Sequence, residues 1–280
     1  MGAERYEVGL IGAGIGTSLS PPLHEREAAE LDLDYGYRLI DIDGRDEDVA
    51  ALLERARDAG FRGLNVTHPC KQAVVPLLDA LSEDARALQA VNTVVFDDAG
   101  ATGHNTDTTG FAESFARGLP DAELDRVVLL GAGGAGTAVA HAALRLGVQE
   151  LTIVDTDGDR AEACVRQLGD PRAAAGTLDD LAGADGLIHA TPTGMEGHPG
   201  LPLDDDRLHP GLWVAEVVYR PLETQLLRRA RELGCRTLDG GGMAVFQAAD
   251  AFALFTGVEP DRERMLRHFA ELVDAPVSTP

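Results

Sequence analysis

Cysteine is scarce in this chain. Its three residues, Cys70, Cys164 and Cys235, are odd in number and form no C-x-x-C pair. That excludes a disulfide framework or a thiol-built zinc site and fits a reducing compartment. The eight histidines contain neither H-x-x-x-H nor H-E-x-x-H, so no metal is expected. No stretch reaches the ~18 uninterrupted apolar residues of a membrane helix. The opening MGAERYEVGL lacks a basic segment followed by an apolar run, so no secretory leader is expected and the expected location is cytoplasmic. Positive charge is short: 24 Lys and Arg stand against 47 Asp and Glu, a formal charge of -23. Such a field repels nucleic acid and anionic membranes, so neither is an expected partner. Aromatics are only 5%, and the core must be built on Ala, Leu and Val.

What is present is a rhythm. Hydrophobic residues make up 44% of the 280, enough for a large domain or two modest ones. Short β-branched runs alternate with amphipathic stretches. YEVGLIG, YGYRLIDI, FRGLNVT and AVNTVVFDD read as strands. PPLHEREAAELDL, RDEDVAALLERARDAG and KQAVVPLLDALSEDARALQ (interrupted at Pro76) read as helices. After DAGATGHNTDTTG the pattern restarts with RVVLLG, LTIVD, GLIHAT and LWVAEVV. The fold class is therefore α/β with mainly parallel sheets and helices on both faces. The rhythm runs twice, which predicts two domains: 1–105 with 240–280 for substrate and catalysis, and 106–239 as a Rossmann domain for NAD. The final helices are expected to return to the first domain. No internal repeat or low-complexity segment is visible.

Two glycine loops compete for a dinucleotide. In GAGGAG, Gly131, Gly133 and Gly136 satisfy G-x-G-x-x-G in full, with Gly134 and Ala135 between them. The loop follows a strand and opens a helix free of Pro, as pyrophosphate binding at a helix N-terminus requires. Nineteen residues after Gly136, Asp155 ends the next strand, where a carboxylate would accept the adenosine ribose hydroxyls. A carboxylate there repels a 2′-phosphate. Arg160 is nearby, but Asp157 and Asp159 precede it, and the cofactor expected is NAD rather than NADP. In the first loop, Gly12, Gly14 and Gly16 run into Thr17, Ser18, Leu19, Ser20, Pro21 and Pro22. Two prolines there postpone the helix. The loop instead offers Ser18 and Ser20, which point the same way if extended and suit a carboxylate. Helix N-capping is the plain structural alternative.

Lys71 in NVTHPCK sits just after a strand, at the start of a helix. A cation is disfavoured at that end of the macrodipole, so the placement suits a lysine that exchanges a proton better than one that only solubilises. Thr67 lies beside it. Asn105, Thr106 and Asp107 fall in a turn between the expected domains, and Asn92 lies near a strand start. Each alone is more often structural than functional.

Together NVTHPCK, AVNTVV, GHNTDTTGF, GAGGAGTAVAHAAL, VVYRPLETQLL and GGGMAVFQAADAFALFTG resemble the shikimate dehydrogenase family, including its NAD-dependent quinate/shikimate dehydrogenase branch. The likeness spans nearly the whole chain with the motifs in the family's order. It implies that Lys71 and Asp107 form the catalytic acid–base pair and that Ser18 and Ser20 bind the substrate carboxylate. It further implies that Thr67, Asn92 and Asp107 contact ring hydroxyls, that Gln247 adds a contact from the last helices, and that Tyr219 stands at the mouth of the site. Cofactor contacts fall on the glycine loop with Asp155, Arg160, Thr191, Val217, Gly240 and Met243, and DGGGM reads as a hinge or as backbone facing nicotinamide. The activity implied is reversible hydride transfer between NAD and shikimate or quinate, a small polyhydroxy carboxylic acid, with a homodimer as the assembly considered. Thr17 stands where the family commonly has His, and VDTDGDR replaces the N-R-T-like turn of NADP-using members. The alternatives are an NADP-dependent biosynthetic shikimate dehydrogenase, a non-enzymatic NAD sensor, a methylenetetrahydrofolate dehydrogenase, and a Cys70 thiol nucleophile activated by Lys71.

Overall fold

The computed structural model describes residues 5–44 and 48–274. Positions 45–47, at the head of the helix expected over RDEDVAALLERARDAG, lie outside the described residues. The chain divides into two compact units, residues up to Thr106 with those from Val245 onward, and Asp107–Ala244.

The first unit opens with β1 (Arg5–Gly12), α1 (Ser20–Glu30), β2 (Asp34–Asp41), α2 (Val49–Asp58), β3 (Gly63–Val66) and the short α3 (Cys70–Ala73). Then come β4 (Ala80–Leu81), α4 (Glu83–Leu88), β5 (Thr93–Asp97) and β6 (Gly100–His104). Strand order is β2-β1-β3-β5-β6-β4. β1 pairs in parallel with β2 and β3, whereas β5 is antiparallel to both β3 and β6. Period-2 alternation explains the two-sided core. Val8 and Leu10 face a cluster with Tyr37, Ala251 and Phe255, while Ile11 faces Leu52, Leu53 and Leu64.

Two local expectations fail here. The long helical reading of KQAVVPLLDALSEDARALQ breaks into α3, a 3-10 turn at Val75–Leu77, β4 and α4. Pro76 cannot donate in a helix interior, and Ser82 caps α4 by accepting from Ala85 N. DAGATGH, for which the sequence predicts no strand, contains β6. Asp97 Oδ1 accepts Ala99 N at 2.8 Å and closes a hairpin, and the small residues of GATGH hid the strand.

The second unit holds α5 (Thr106–Gly118, whose first residue belongs to the first unit), β7 (Arg126–Leu130), α6 (Gly134–Leu146), β8 (Glu150–Val154), α7 (Gly158–Leu168) and β9 (Ala173–Ala175). It continues through β10 (Gly186–His189), β11 (Trp213–Glu216), α8 (Gln225–Glu232) and β12 (Arg236–Leu238). All pairings are parallel in the order β12-β11-β10-β7-β8-β9, a doubly wound sheet whose winding reverses between β7 and β10. Val127 and Leu129 face one core with Ile153 and Trp213; Val128 and Leu130 face the other with Leu187 and Val214.

α9 (Gly241–Thr256) and α10 (Arg262–Asp274) complete the fold. Gly241 and Gly242 of DGGGM lie in the first turn of α9. α10 returns to α1 through a buried ion pair: Arg264 Nε donates to Glu27 Oε2 at 2.9 Å and Nη2 to Oε1 at 2.6 Å. Asp261 N adds a third donor at 2.7 Å. Glu27 is fully buried, and removing one partner of such a pair typically costs about 3–5 kcal/mol.

Candidate active site

In the first unit, three loops converge at the carboxyl ends of β1 and β3. Ala13 N donates to His68 O at 2.9 Å and Thr67 N to Ile11 O at 2.9 Å, binding the first glycine loop to NVTHPCK. Val91 N donates to Lys71 O at 2.8 Å and Val66 N to Asn92 O at 2.8 Å, which brings the segment before β5 against both. Backbone bonds thus bring the segments that carry Thr67, Lys71 and Asn92 together.

The donors of the first glycine loop are already engaged. Asp41 at the end of β2 accepts Gly14 N at 3.0 Å through Oδ1 and Ile15 N at 3.2 Å through Oδ2. Its own carboxylate occupies the donors a pyrophosphate would need. Ser18 and Ser20 are both half-buried, but not as an extended pair. α1 starts at Ser20 with proline in its opening positions, and Ser20 N donates to Ser18 Oγ at 3.2 Å. The prolines did not postpone the helix, because their missing N–H groups fall in the turn that has no acceptors anyway.

From Ser20 a buried polar chain crosses the sheet. The Tyr37 phenol shares a hydrogen bond with Ser20 and donates to Asn65 Oδ1 at 2.7 Å. Asn65 Nδ2 donates to Thr93 Oγ1 at 3.0 Å, and Thr93 Oγ1 to Asn92 Oδ1 at 3.1 Å. Asn92 Oδ1 also accepts Thr106 N at 2.8 Å, and Asn92 Nδ2 donates to Thr106 Oγ1 at 2.9 Å. Burial drives the Tyr37 phenol well above its ordinary value, with Ser20 opposing, so the hydroxyl stays a donor. Tyr37 and Asn65 were missed from sequence. The available signal was an asparagine inside the apolar strand GLNV, which demands buried partners.

Asn105, Thr106 and Asp107 do not form a free turn: Thr106 and Asp107 are the first residues of α5, where an acid suits the macrodipole. Asp107 is buried and begins the second unit, one residue beyond the Asn92–Thr106 contact. Gln247 is half-buried on α9. Tyr219 is half-buried, with its phenol pushed up by burial against the opposing charge of Arg220. Cys70 is 1% exposed and burial pushes its thiol up, the reverse of what a nucleophile needs.

The residues expected to hold the cofactor lie mainly in the second unit. A Cβ at Gly136 would stand 1.9 Å from Gly131 O, so only glycine lets α6 approach β7. A Cβ at Gly133 or Gly134 would meet nothing within 4 Å, which leaves open space over the amino end of α6. That space fits a pyrophosphate on first-turn N–H groups. Asp155 Oδ2 accepts Ala132 N at 2.8 Å and Oδ1 accepts Asp157 N at 3.0 Å, so the carboxylate also braces the loop. Burial raises its affinity for a proton, but these bonds and Arg160 prevail and hold it below the usual range. Arg160 is exposed and lies 3.7 Å from Asp157. Thr191 follows β10 across the switch point, its methyl 3.0 Å from a Cβ built on Gly131. Gly240 packs on the Val217 and Val218 carbonyls, 2.4 and 2.5 Å from its would-be Cβ. Met243 is buried in the core beneath the sheet.

Comparison with known proteins accords with this arrangement. Residues 10–94 match the shikimate dehydrogenase substrate binding domain and residues 240–268 the shikimate 5′-dehydrogenase C-terminal domain. A shikimate dehydrogenase (NADP(+)) of Streptomyces avermitilis is 64% identical over 97% of each chain. A quinate/shikimate dehydrogenase (NAD(+)) of Corynebacterium efficiens is 49% identical over 97% of this chain and all of its own. The structure of quinate dehydrogenase from Corynebacterium glutamicum in complex with NAD superposes with a TM-score of 0.91 at 47% identity, covering 95% of this chain and 99% of that one. The chain belongs to the shikimate dehydrogenase family and is a nicotinamide-dinucleotide-dependent oxidoreductase acting on an alcohol group.

Proposed function

We propose that the protein reversibly oxidises shikimate and quinate to their 3-dehydro acids with NAD, residues up to 105 and from 240 holding the acid and 106–239 the dinucleotide. The observation that carries this reading is the convergence of Thr67, Lys71 and Asn92 on one sheet end, joined by the buried polar chain to Ser20. Ser18 and Ser20 hold the carboxylate; Thr67, Asn92 and Asp107 orient the ring hydroxyls; Gln247 and Tyr219 complete the enclosure. When bound, the oxidised dinucleotide supplies the hydride acceptor. The Lys71 amine takes the carbinol proton as the C–H bond breaks, with Asp107 as its partner, and returns it in the reverse direction. Such acid–base help is typically worth ~10²–10⁴-fold.

NAD is favoured by the electrostatics at the end of β8. Asp155, Asp157 and Asp159 crowd the position of a 2′-phosphate, and Arg160 is engaged by Asp157. A second reading, NADP with shikimate in biosynthesis, is supported by the name of the Streptomyces avermitilis relative. Initial rates with NAD and NADP crossed against shikimate and quinate decide between them, read by absorbance of the reduced nicotinamide. The proposal expects kcat/KM with NAD to exceed that with NADP at least tenfold for both acids. The reverse ratio, or no turnover of quinate, overturns that part of it.

A further inference from the structure

His189, the last residue of β10, and Glu216, the last of β11, are fully buried side chains, with His189 Nδ1 2.8 Å from Glu216 Oε1. Glu216 Oε1 also accepts Val218 N at 3.0 Å, and Oε2 accepts the Thr224 hydroxyl at 3.0 Å. Thr224 in turn accepts Leu227 N at 3.2 Å and caps α8. On the other side of the ring, His189 Nε2 lies 2.5 Å from Thr191 Oγ1.

Glu216 Oε1, which also accepts Val218 N, faces the ring as an acceptor, so Nδ1 carries a hydrogen. In the Nδ1–H tautomer, Nε2 accepts and the Thr191 hydroxyl donates inward to it. One Thr191 lone pair receives Thr193 N at 3.3 Å. The other remains, on a half-buried residue that borders Gly131 at the switch point. Thr191 consequently offers the crevice an acceptor and no donor.

We propose that His189 and Glu216 are positioning residues that set Thr191 as a hydrogen-bond acceptor for an N–H or O–H donor of the bound dinucleotide, a carboxamide or ribose hydroxyl and not a phosphate. This rests on the dinucleotide reading of the second unit and is independent of which acid is oxidised. The same pair ties the loop after β10 to the segment after β11 that carries Val217. A single polarised chain thus holds both walls of the crevice.

The test is direct titration of the purified enzyme with NADH or NADPH, whichever the wild type binds more tightly, on Thr191→Val, Thr191→Ser, His189→Phe and the His189→Phe/Thr191→Val double variant. Losing one such bond should weaken binding about tenfold in Thr191→Val and in His189→Phe, while Thr191→Ser stays within about twofold. The double variant should be no weaker than the singles, because His189 acts through Thr191. The dinucleotide KM should rise with the dissociation constant, and the KM of the acid should not. Long-range nitrogen–proton NMR of the wild type should find the His189 hydrogen on Nδ1. Additive losses, wild-type affinity in Thr191→Val, or a hydrogen on Nε2 overturn the proposal, and the last two stand even where His189→Phe does not fold. An enzyme that binds the dinucleotide but oxidises neither shikimate nor quinate refutes the substrate reading alone.

Discussion

His24 makes the stability of the first unit depend on pH, and the size of the effect follows from its surroundings. The ring is fully buried in α1 among Tyr37, Tyr35 and Phe252, with centroids 5.0, 6.0 and 5.8 Å away. Nδ1 meets the Tyr35 hydroxyl at 2.8 Å and Nε2 has no partner. A second ring hydrogen would find no acceptor, and burial lowers the histidine from its ordinary 6.5 to about 3. Between those values the unfolded chain carries a proton that the folded chain excludes. Stability is therefore full above pH 6.5 and falls as pH drops toward 3. At pH 5, 1.5 units below the ordinary value, the loss is about 2 kcal/mol, or about thirtyfold in the opening equilibrium. The charge of -23 works the other way, since protonating carboxylates relieves repulsion on acidification, so the measurement must be a difference. Amide hydrogen exchange of β1 and β2 in the wild type and in His24→Asn, each at pH 7 and pH 5, supplies it. Wild-type protection should fall about thirtyfold more than that of the variant over this interval. Parallel behaviour of the two proteins would refute a neutral buried imidazole.

Gly136→Ala places a methyl 1.9 Å from Gly131 O, a backbone atom that cannot swing away, so α6 must move off β7. Dinucleotide affinity should drop more than about tenfold and the second unit should lose about 1–3 kcal/mol, seen by NADH titration and calorimetry. Tyr37→Phe removes the donor at 2.7 Å from buried Asn65 Oδ1, with an expected cost of about 1–3 kcal/mol in urea unfolding and a raised KM for the acid. Unchanged values would mean the polar chain is incidental. Lys71→Arg keeps the charge but cannot give up a proton, so kcat should fall ~10²–10⁴-fold while the KM of the acid moves far less; a wild-type kcat would end the assignment of Lys71.

Much of the fold was legible because burial is periodic. Val127 and Leu129 against Val128 and Leu130 in β7 announce a strand covered on both faces, as a doubly wound sheet requires. β4 and β6 were not legible: one has two residues and the other is largely Gly, Ala and Thr, so tertiary pairing rather than propensity makes them strands. The site divides in the same way. Gly131, Gly133, Gly136 and Asp155 are local in sequence and were readable. Tyr37, Asn65 and the pair His189–Glu216 act through partners 27 or 28 residues away, and no local pattern encodes such a distance. Asp41 is a further case: its carboxylate, 27 residues on from Gly14, accepts that glycine's N–H.

One further sequence signal bears on Lys71. It is the single lysine among the chain's 24 Lys and Arg residues. Arg264 on Glu27 and Arg172 on Asp170 use guanidinium, which holds its proton and grips a carboxylate with two donors. An ammonium differs in the one property those pairs do not need, the ability to lose a proton in the neutral range when its surroundings demand it. Lys71 lies on α3, its backbone oxygen bonded to Val91 beside Asn92, in the cluster of loops that carries Thr67. A surface charge would tolerate arginine as well as the other 23 positions do; a proton carrier would not. Composition and position thus both support the role proposed for Lys71.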